Sequence, residues 1–203
     1  GAGAWIASFD AGASMRSDRR TLPEHADCTP LDVDRVAAHI MPNGTFARLM
    51  PGYESRAGQV EMLRAVTCAF NEGTHLVVEA GTGIGKSLAY LIPAVFWAKL
   101  NDVPVVISTN TRNLQSQLIE KDLPLALAAA RADSGDDKLR VALLKGRTNY
   151  LCLRRLGVLL EHRQFELERS ELRHFAEAVA WAVCTPDGDL DSFASAGRGD
   201  PVF

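Results

Sequence analysis

The stretch His75-Leu76-Val77-Val78-Glu79, followed by Ala80-Gly81-Thr82-Gly83-Ile84-Gly85-Lys86-Ser87 and the apolar run Leu88-Ala89-Tyr90-Leu91-Ile92, decides the fold. A short apolar run rich in β-branched residues predicts a buried strand, and the run after the glycines predicts a helix. A strand, a glycine-rich loop and a helix in that order form a phosphate-binding turn. The eight residues match the relaxed phosphate-loop pattern, with Ala80 where the strict form has its first glycine. In such a turn the exposed N–H groups and the positive end of the helix dipole converge on phosphate oxygens. Gly81, Gly83 and Gly85 let the backbone wrap closely, with Thr82 and Ile84 between them. Lys86 is placed to reach β- and γ-phosphates, and the Ser87 hydroxyl to ligate magnesium. The bland alternative is a glycine-rich turn with an incidental lysine. The loop alone does not name a reaction, because kinases, GTPases, transporters and helicases share it.

Working outward, helix-like and strand-like segments alternate, the sequence sign of a parallel sheet flanked by helices. LDVDRVAAHI (Leu31 to Ile40) reads as a short helix, with Thr29 as its candidate cap before Pro30. Gln59 to Phe70 and Lys86 to Leu100 read as longer helices, the second kinked or loosened at Pro93 because proline removes a backbone donor. Strands are expected at Val103 to Ser108 and Arg140 to Leu144, with a helix over Thr111 to Glu120 between them. Gln164 to Val183 reads as an amphipathic helix with Leu172, Phe175, Ala176 and Val179 on its buried side. Residues 1–30 lack a sustained apolar period and read as a tail or linker; Met15 is a candidate true start. No internal repeat is evident.

The 203 residues carry 47% hydrophobic and 23% charged residues and a net charge of −3, ordinary values that exclude disordered and fibrous chains. The longest uncharged apolar stretch, Ser87 to Ala98, is 12 residues, too short for a helical membrane span of about 20. Residues 1–17 lack the basic start and apolar run of a secretory signal, so a cytoplasmic protein with no membrane partner is expected. Cys28, Cys68, Cys152 and Cys184 form no CxxC pair and read as isolated thiols. Net charge argues against a protein that coats nucleic acid. From Lys138 to Arg163, however, seven Lys or Arg stand against the single acid Glu161, an excess that suits either a phosphate backbone or a solvated basic face.

Four blocks in order carry a more specific signal: PGYESRAGQVEM (Pro51 to Met62), EAGTGIGKSLAYLIPA (Glu79 to Ala94), STNTRNLQSQLIEKDLP (Ser108 to Pro124) and KGRTNYLCL (Lys145 to Leu153). The series resembles the DinG-type branch of superfamily two DNA helicases, relatives of the XPD repair helicase. It covers Phe46 to Leu153 closely and extends weakly to WAVCTPDGD (Trp181 to Asp189). The resemblance implies an α/β P-loop NTPase fold, a RecA-like parallel sheet with flanking helices, here an incomplete first motor domain. Residues 31–150 would be the first part of that domain, and 151–203 the truncated start of an iron–sulfur or helical insertion.

On the matching positions, Gln59 corresponds to the family's adenine-reading glutamine, with Arg56 and Tyr53 in the same block as nucleotide-site support. Thr109, Thr111, Asn113, Gln115 and Gln117 fall on the motif that lies against single-stranded DNA; alone they would read as a capped helix. Cys152 matches the first of four ligands of a 4Fe–4S cluster in members that carry one. A free thiol is the alternative, since some relatives keep this region without a cluster. Cys184 precedes TPDGD and is not expected to be a ligand. The resemblance implies ATP and magnesium as cofactors, and a monomeric motor moving 5′ to 3′ on single-stranded DNA in DNA repair.

Hydrolysis by such a motor also needs an acidic pair at a later strand end, and no apolar strand in this sequence ends in one. Asp136-Asp137 sits in a polar loop after Ser134-Gly135. The chain is therefore expected to be an N-terminal fragment that binds nucleotide without unwinding DNA. Two other classes stand beside this reading: a P-loop kinase or other NTPase, which would not need KGRTNYLC, and a non-catalytic nucleic-acid-binding module, which would not need Lys86.

Overall fold

The structure is a computed structural model that describes residues 3–6, 24–81, 83–135, 139–161 and 168–193. The chain divides into two compact units, Gly1–Leu144 and Lys145–Phe203.

The centre of the first unit is the helix that opens at the glycine loop, α4 (Lys86–Asn101). Its residues 88, 89 and 91–98 are all buried. A helix apolar on every side must be enclosed by other elements. Here α3 (Ala57–Glu72) and α6 (Leu123–Ser134) do so, joined by α1 (Val33–Ala38) and α2 (Thr45–Leu49). Phe46, Leu63, Ile92 and Val95 fill the core between them. Ala126, Ala129 and Ala130 give α6 a small-residue face, which lets it lie close to α4. The helix α4 continues through Pro93, so the cost of the missing donor is confined to the carbonyl of Ala89, one turn back.

α5 (Arg112–Gln117) begins where expected and does not end at Glu120. It passes through a π-helical turn at Leu118–Asp122 into α6, a helix that the sequence reading missed. Pro124 stands at the second position of α6, where its ring would crowd a tight α turn behind it; the wider π turn relieves that conflict. At the start of the unit, α1 is capped by Asp32 rather than Thr29. The Asp32 carboxylate accepts from the N–H groups of Asp34 and Arg35, both at 3.0 Å.

Thr29 has a different task, and the boundary of the tail shifts with it. Asn101 donates to Thr29 O and accepts from Thr29 N at 2.7 Å, and Asn71 does the same for Leu31 at 2.8 and 2.7 Å. Two amides at the ends of α3 and α4 thus pair with alternate residues of an extended segment as a neighbouring strand would. His25 stacks on Trp97 and its Nε2 lies 2.6 Å from Phe70 O. Residues 24–30 therefore belong to the folded unit and not to a tail.

The predicted parallel sheet is not what the described residues form. Their one ladder between strands joins β1 (Gly3–Ile6) to β2 (Val105–Ser108), antiparallel, with Gly3 opposite Ser108 and Ile6 opposite Val105. The segments 75–79 and 140–144, expected as strands, form none, and Val77 is 97% exposed. Strand identity depends on ladder partners, and an edge with open N–H and C=O groups takes whichever extended segment reaches it. The first unit holds two apolar hollows, of which only the second touches the segment 75–79. One of about 530 Å³ lies against Phe70, Ala94 and Ile107, and one of about 400 Å³ against Met62, Leu76 and Val78.

A buried polar knot holds α1 to α6. His39 Nδ1 is 2.8 Å from Thr45 Oγ1, its ring packs on Phe96, and Nε2 lies 3.8 Å from Asp133, which also accepts from Arg35. Phe46 N donates to His39 O at 3.0 Å, and the chain passes so close that a Cβ on Gly44 would lie 2.2 Å from Ala38 O. Burial lowers the pKa of His39 below its usual value, against the pull of Asp133, with Arg35 and Arg48 lowering it further. The unfolded chain then binds a proton that the folded chain does not, so stability is full above about pH 6.5 and falls as pH drops through the folded pKa. In urea titrations from pH 7.5 to 5, replacing His39 by Gln should flatten this acid-side loss; an unchanged slope would assign it to other groups.

The second unit contains α7 (Leu153–Glu161) and α8 (Arg169–Cys184). α8 starts later than predicted, with residues 164–167 outside the described ones, at a capping box of Glu168 and Glu171. Its most buried residue is Ala178, whereas Leu172 is 55% exposed and Ala176 is also exposed, so the predicted buried face is rotated.

Candidate nucleotide site and its neighbours

The loop between residues 79 and 86 delivers its backbone to the N-terminus of α4. Gly83 and Gly85 have φ of 82° and 85°, left-handed values that an L side chain resists. Gly85 is the cap residue of α4, and no side chain caps the helix there or adds an acid to its first turn. The N–H groups of that turn are thus unspent on side chains and suit an anion. Thr82 lies outside the described residues. Ile84 packs over the start of α3, with its Cγ2 3.6 Å from where a Cβ on Gly58 would sit.

Side chains hold this loop through its carbonyls. Lys86 Nζ donates to Ala80 O at 2.9 Å and to Gly81 O at 2.6 Å, which folds the ammonium over the loop. Arg56 donates to Gly83 O. Gln59 is 3% exposed, and its Nε2 donates to Gly85 O at 3.0 Å. Tyr53 OH lies 3.2 Å from Gln59 Oε1 and 3.0 Å from Ile40 O. Burial raises the Tyr53 pKa and outweighs the nearby Arg56, so the phenol keeps its proton. Gln59, Arg56 and Lys86 therefore meet on one loop, with Tyr53 hydrogen-bonded to Gln59. The sequence reading missed Tyr90, one turn after Ser87. Burial raises the pKa of its half-buried hydroxyl, and the Ser87 side chain beside it pulls the other way. The i, i+3 spacing was the available signal.

The predicted DNA-facing residues separate. Thr111 caps α5, accepting from Leu114 N at 3.3 Å, and is exposed, as is Asn113. Gln117 is exposed and donates to Asp122. Thr109 is buried, and Gln115 is 1% exposed with Nε2 donating to Leu144 O at 3.1 Å. Gln115 thus ties α5 to the segment before Lys145 instead of presenting its amide to solvent.

In the second unit, KGRTNYLC and TPDGD come together. Leu151 N donates to Gly188 O at 2.8 Å, Tyr150 bridges Asp189, and Lys145 Nζ meets Asp189 at 2.5 Å and Asp191 at 2.8 Å. Burial pulls the Lys145 ammonium down, but the two carboxylates outweigh it and hold its pKa above the usual value. Lys145 is thereby removed from the predicted basic face. Arg147 and Arg154 are exposed, while Lys138 and Arg163 lie outside the described residues. Cys152 is an exposed free thiol just before α7. Among the described residues no three His, Cys, Asp or Glu side chains converge as a metal site. Asp136-Asp137 lies outside the described residues.

Residues 56–195 match the family model of the DEAD/DEAH box helicases, and that span contains Arg56, Gln59 and the whole glycine loop. The chain belongs to this family. Its P-loop, RecA-like fold follows from membership. The ATP-dependent helicase DinG of Mycobacterium tuberculosis is 44% identical over 152 residues, which cover 69% of this chain and 23% of that protein. The ATP-dependent DNA helicase YoaA of Escherichia coli is 40% identical over 157 residues, 76% of this chain and 23% of the relative. A protein of Bacillus subtilis named 3′-5′ exonuclease DinG is 38% identical over 145 residues, 71% and 15% of the two chains. These relatives put the chain on the DinG-type branch of the family. The chain spans about a quarter or less of the length of these relatives. No solved structure matches it. No helix among the described residues is long and apolar enough to cross a membrane.

Proposed function

We propose that this chain is the ATP-gripping front of a DNA helicase motor that uses ATP and magnesium to move 5′ to 3′ along single-stranded DNA as a monomer, in the cytoplasm. The observation that carries this reading is Lys86 folded over a loop whose N–H groups open an uncapped 16-residue helix. When ATP binds, its phosphates would draw the Lys86 ammonium from the Ala80 and Gly81 carbonyls. Gly81 to Gly85 would wrap the phosphates, Ser87 would turn from Tyr90 to magnesium, and Gln59 would read the base. Magnesium supplies charge neutralisation between β- and γ-phosphates. Thr111 and Asn113 are the exposed candidates for contact with the DNA backbone, with Thr109 and Gln115 holding that turn in place. Residues 75–79, 105–108 and 140–144 would become strands of a RecA-like sheet when the rest of a longer protein supplies their ladder partners. The apolar hollow lined by Leu76 and Val78 and the one lined by Val105 and Ile107 are where that sheet would pack. Cys152 would supply one thiolate to a 4Fe–4S cluster, with the other cysteines coming from elsewhere in a longer protein.

Full-length protein, purified anaerobically, tests both parts. Single-stranded DNA should stimulate ATP hydrolysis, and the protein should carry four irons per chain. ATPase activity indifferent to DNA would point to another P-loop enzyme, and iron-free protein would remove the Cys152 assignment alone.

A further inference from the structure

We infer that Tyr53 acts as a positioning residue for base selection: together with the Gly85 carbonyl it fixes the Gln59 amide, leaving one donor and one acceptor of that amide for adenine. This rests on the reading that Gln59 meets the base.

The hydrogen-bond inventory of one amide carries the inference. A glutamine side chain offers two N–H donors and two lone pairs. Gly85 O accepts only, so the group 3.0 Å from it must be the NH₂. That fixes Oε1 on the side of Tyr53, 3.2 Å away, where only a donated O–H satisfies it. The phenol is protonated and half-buried, so it supplies that donor, sharing its one proton with Ile40 O. Gly85 also makes the contact sterically possible, since a Cβ there would lie 2.3 Å from Gln59 Nε2. One N–H and one lone pair then remain. The base edge of adenine presents an N6 amino donor beside an N7 acceptor, and a fixed amide with one N–H and one lone pair to spare meets both. Guanine presents O6 and N7, both acceptors, and satisfies only one of the two. An amide already fixed in orientation binds without the cost of ordering it.

The test compares ATP and GTP affinities of full-length protein and its Y53F and Q59A variants, read as displacement of a fluorescent nucleotide. Y53F keeps the ring that packs 5.8 Å from Phe46 and removes only the hydroxyl. ATP binding should weaken roughly 3- to 10-fold, the scale of one hydrogen bond, with GTP binding nearly unchanged, so the preference for ATP shrinks. A general loosening of the site would weaken both nucleotides alike, and that outcome would overturn the role of Tyr53. Q59A should abolish the preference. If Q59A keeps it, base reading by Gln59 fails and this inference with it; if Q59A loses it and Y53F keeps it, only the Tyr53 role fails.

Discussion

Replacing Lys86 by alanine in the full-length protein should reduce ATP turnover at least about 100-fold, the scale of losing one preorganised charge at a developing negative centre. The mechanism is electrostatic. Charge accumulates on the transferring phosphoryl oxygens and the leaving β-phosphate, and Lys86 places its cation over the loop from the helix it opens. The variant also frees the Ala80 and Gly81 carbonyls from their ammonium partner, so part of the loss will appear as weaker nucleotide binding. Arginine should not restore turnover, because its planar fork cannot occupy the position of a compact ammonium that meets two neighbouring carbonyls. Affinity for single-stranded DNA, measured by anisotropy without nucleotide, should persist, since Thr111 and Asn113 sit on a different turn. Turnover within a few-fold of the parent would exclude the loop as the hydrolytic site.

What the sequence made legible was whatever depends on near neighbours. The loop, α3 and α4 were readable because glycine spacing and a helical period are local properties, and both helices end within two residues of their predicted limits. The meeting of Gln59 and Arg56 with the loop was readable only through the order of the blocks, since no local pattern brings residues 26 and 27 positions apart into contact. The sheet was not readable in the same way. An apolar run such as His75 to Glu79 is a strand only when neighbours complete its ladder, and in this chain it stands exposed. Lys145 resisted reading for a related reason: among seven basic residues nothing marked it as the one whose charge is spent on carboxylates 44 and 46 positions later. Gln115 looked like a surface amide because its partner, the carbonyl of Leu144, is 29 positions away. The N-terminal brace left no periodic trace either, because Asn71 and Asn101 act through backbone groups that every residue possesses.

That brace gives the second large effect, and it lies in stability. Trp97 is 6% exposed and stacks with His25 at 5.6 Å and with Phe70 at 5.5 Å. W97A deletes both ring contacts and opens a cavity beside the ends of α3 and α4, a change that typically costs about 3–5 kcal/mol. Against a usual total of about 5–15 kcal/mol, this is a large fraction of what holds a domain folded. The loss should also be localised first. His25 would keep its bond to Phe70 O but lose the surface it lies on, so residues 24–30 should become the earliest site of limited proteolysis, ahead of α3 and α4. W97F retains an apolar ring against the two partners and should recover most of the stability. Urea unfolding of the full-length protein and its two variants, followed with timed proteolysis, separates the possibilities. If W97A melts like the parent and residues 24–30 resist cleavage, the segment is held by the Asn71 and Asn101 amides alone. The expected result makes the aromatic stack the anchor, with the two amides fixing the register of the strand-like segment once it has docked.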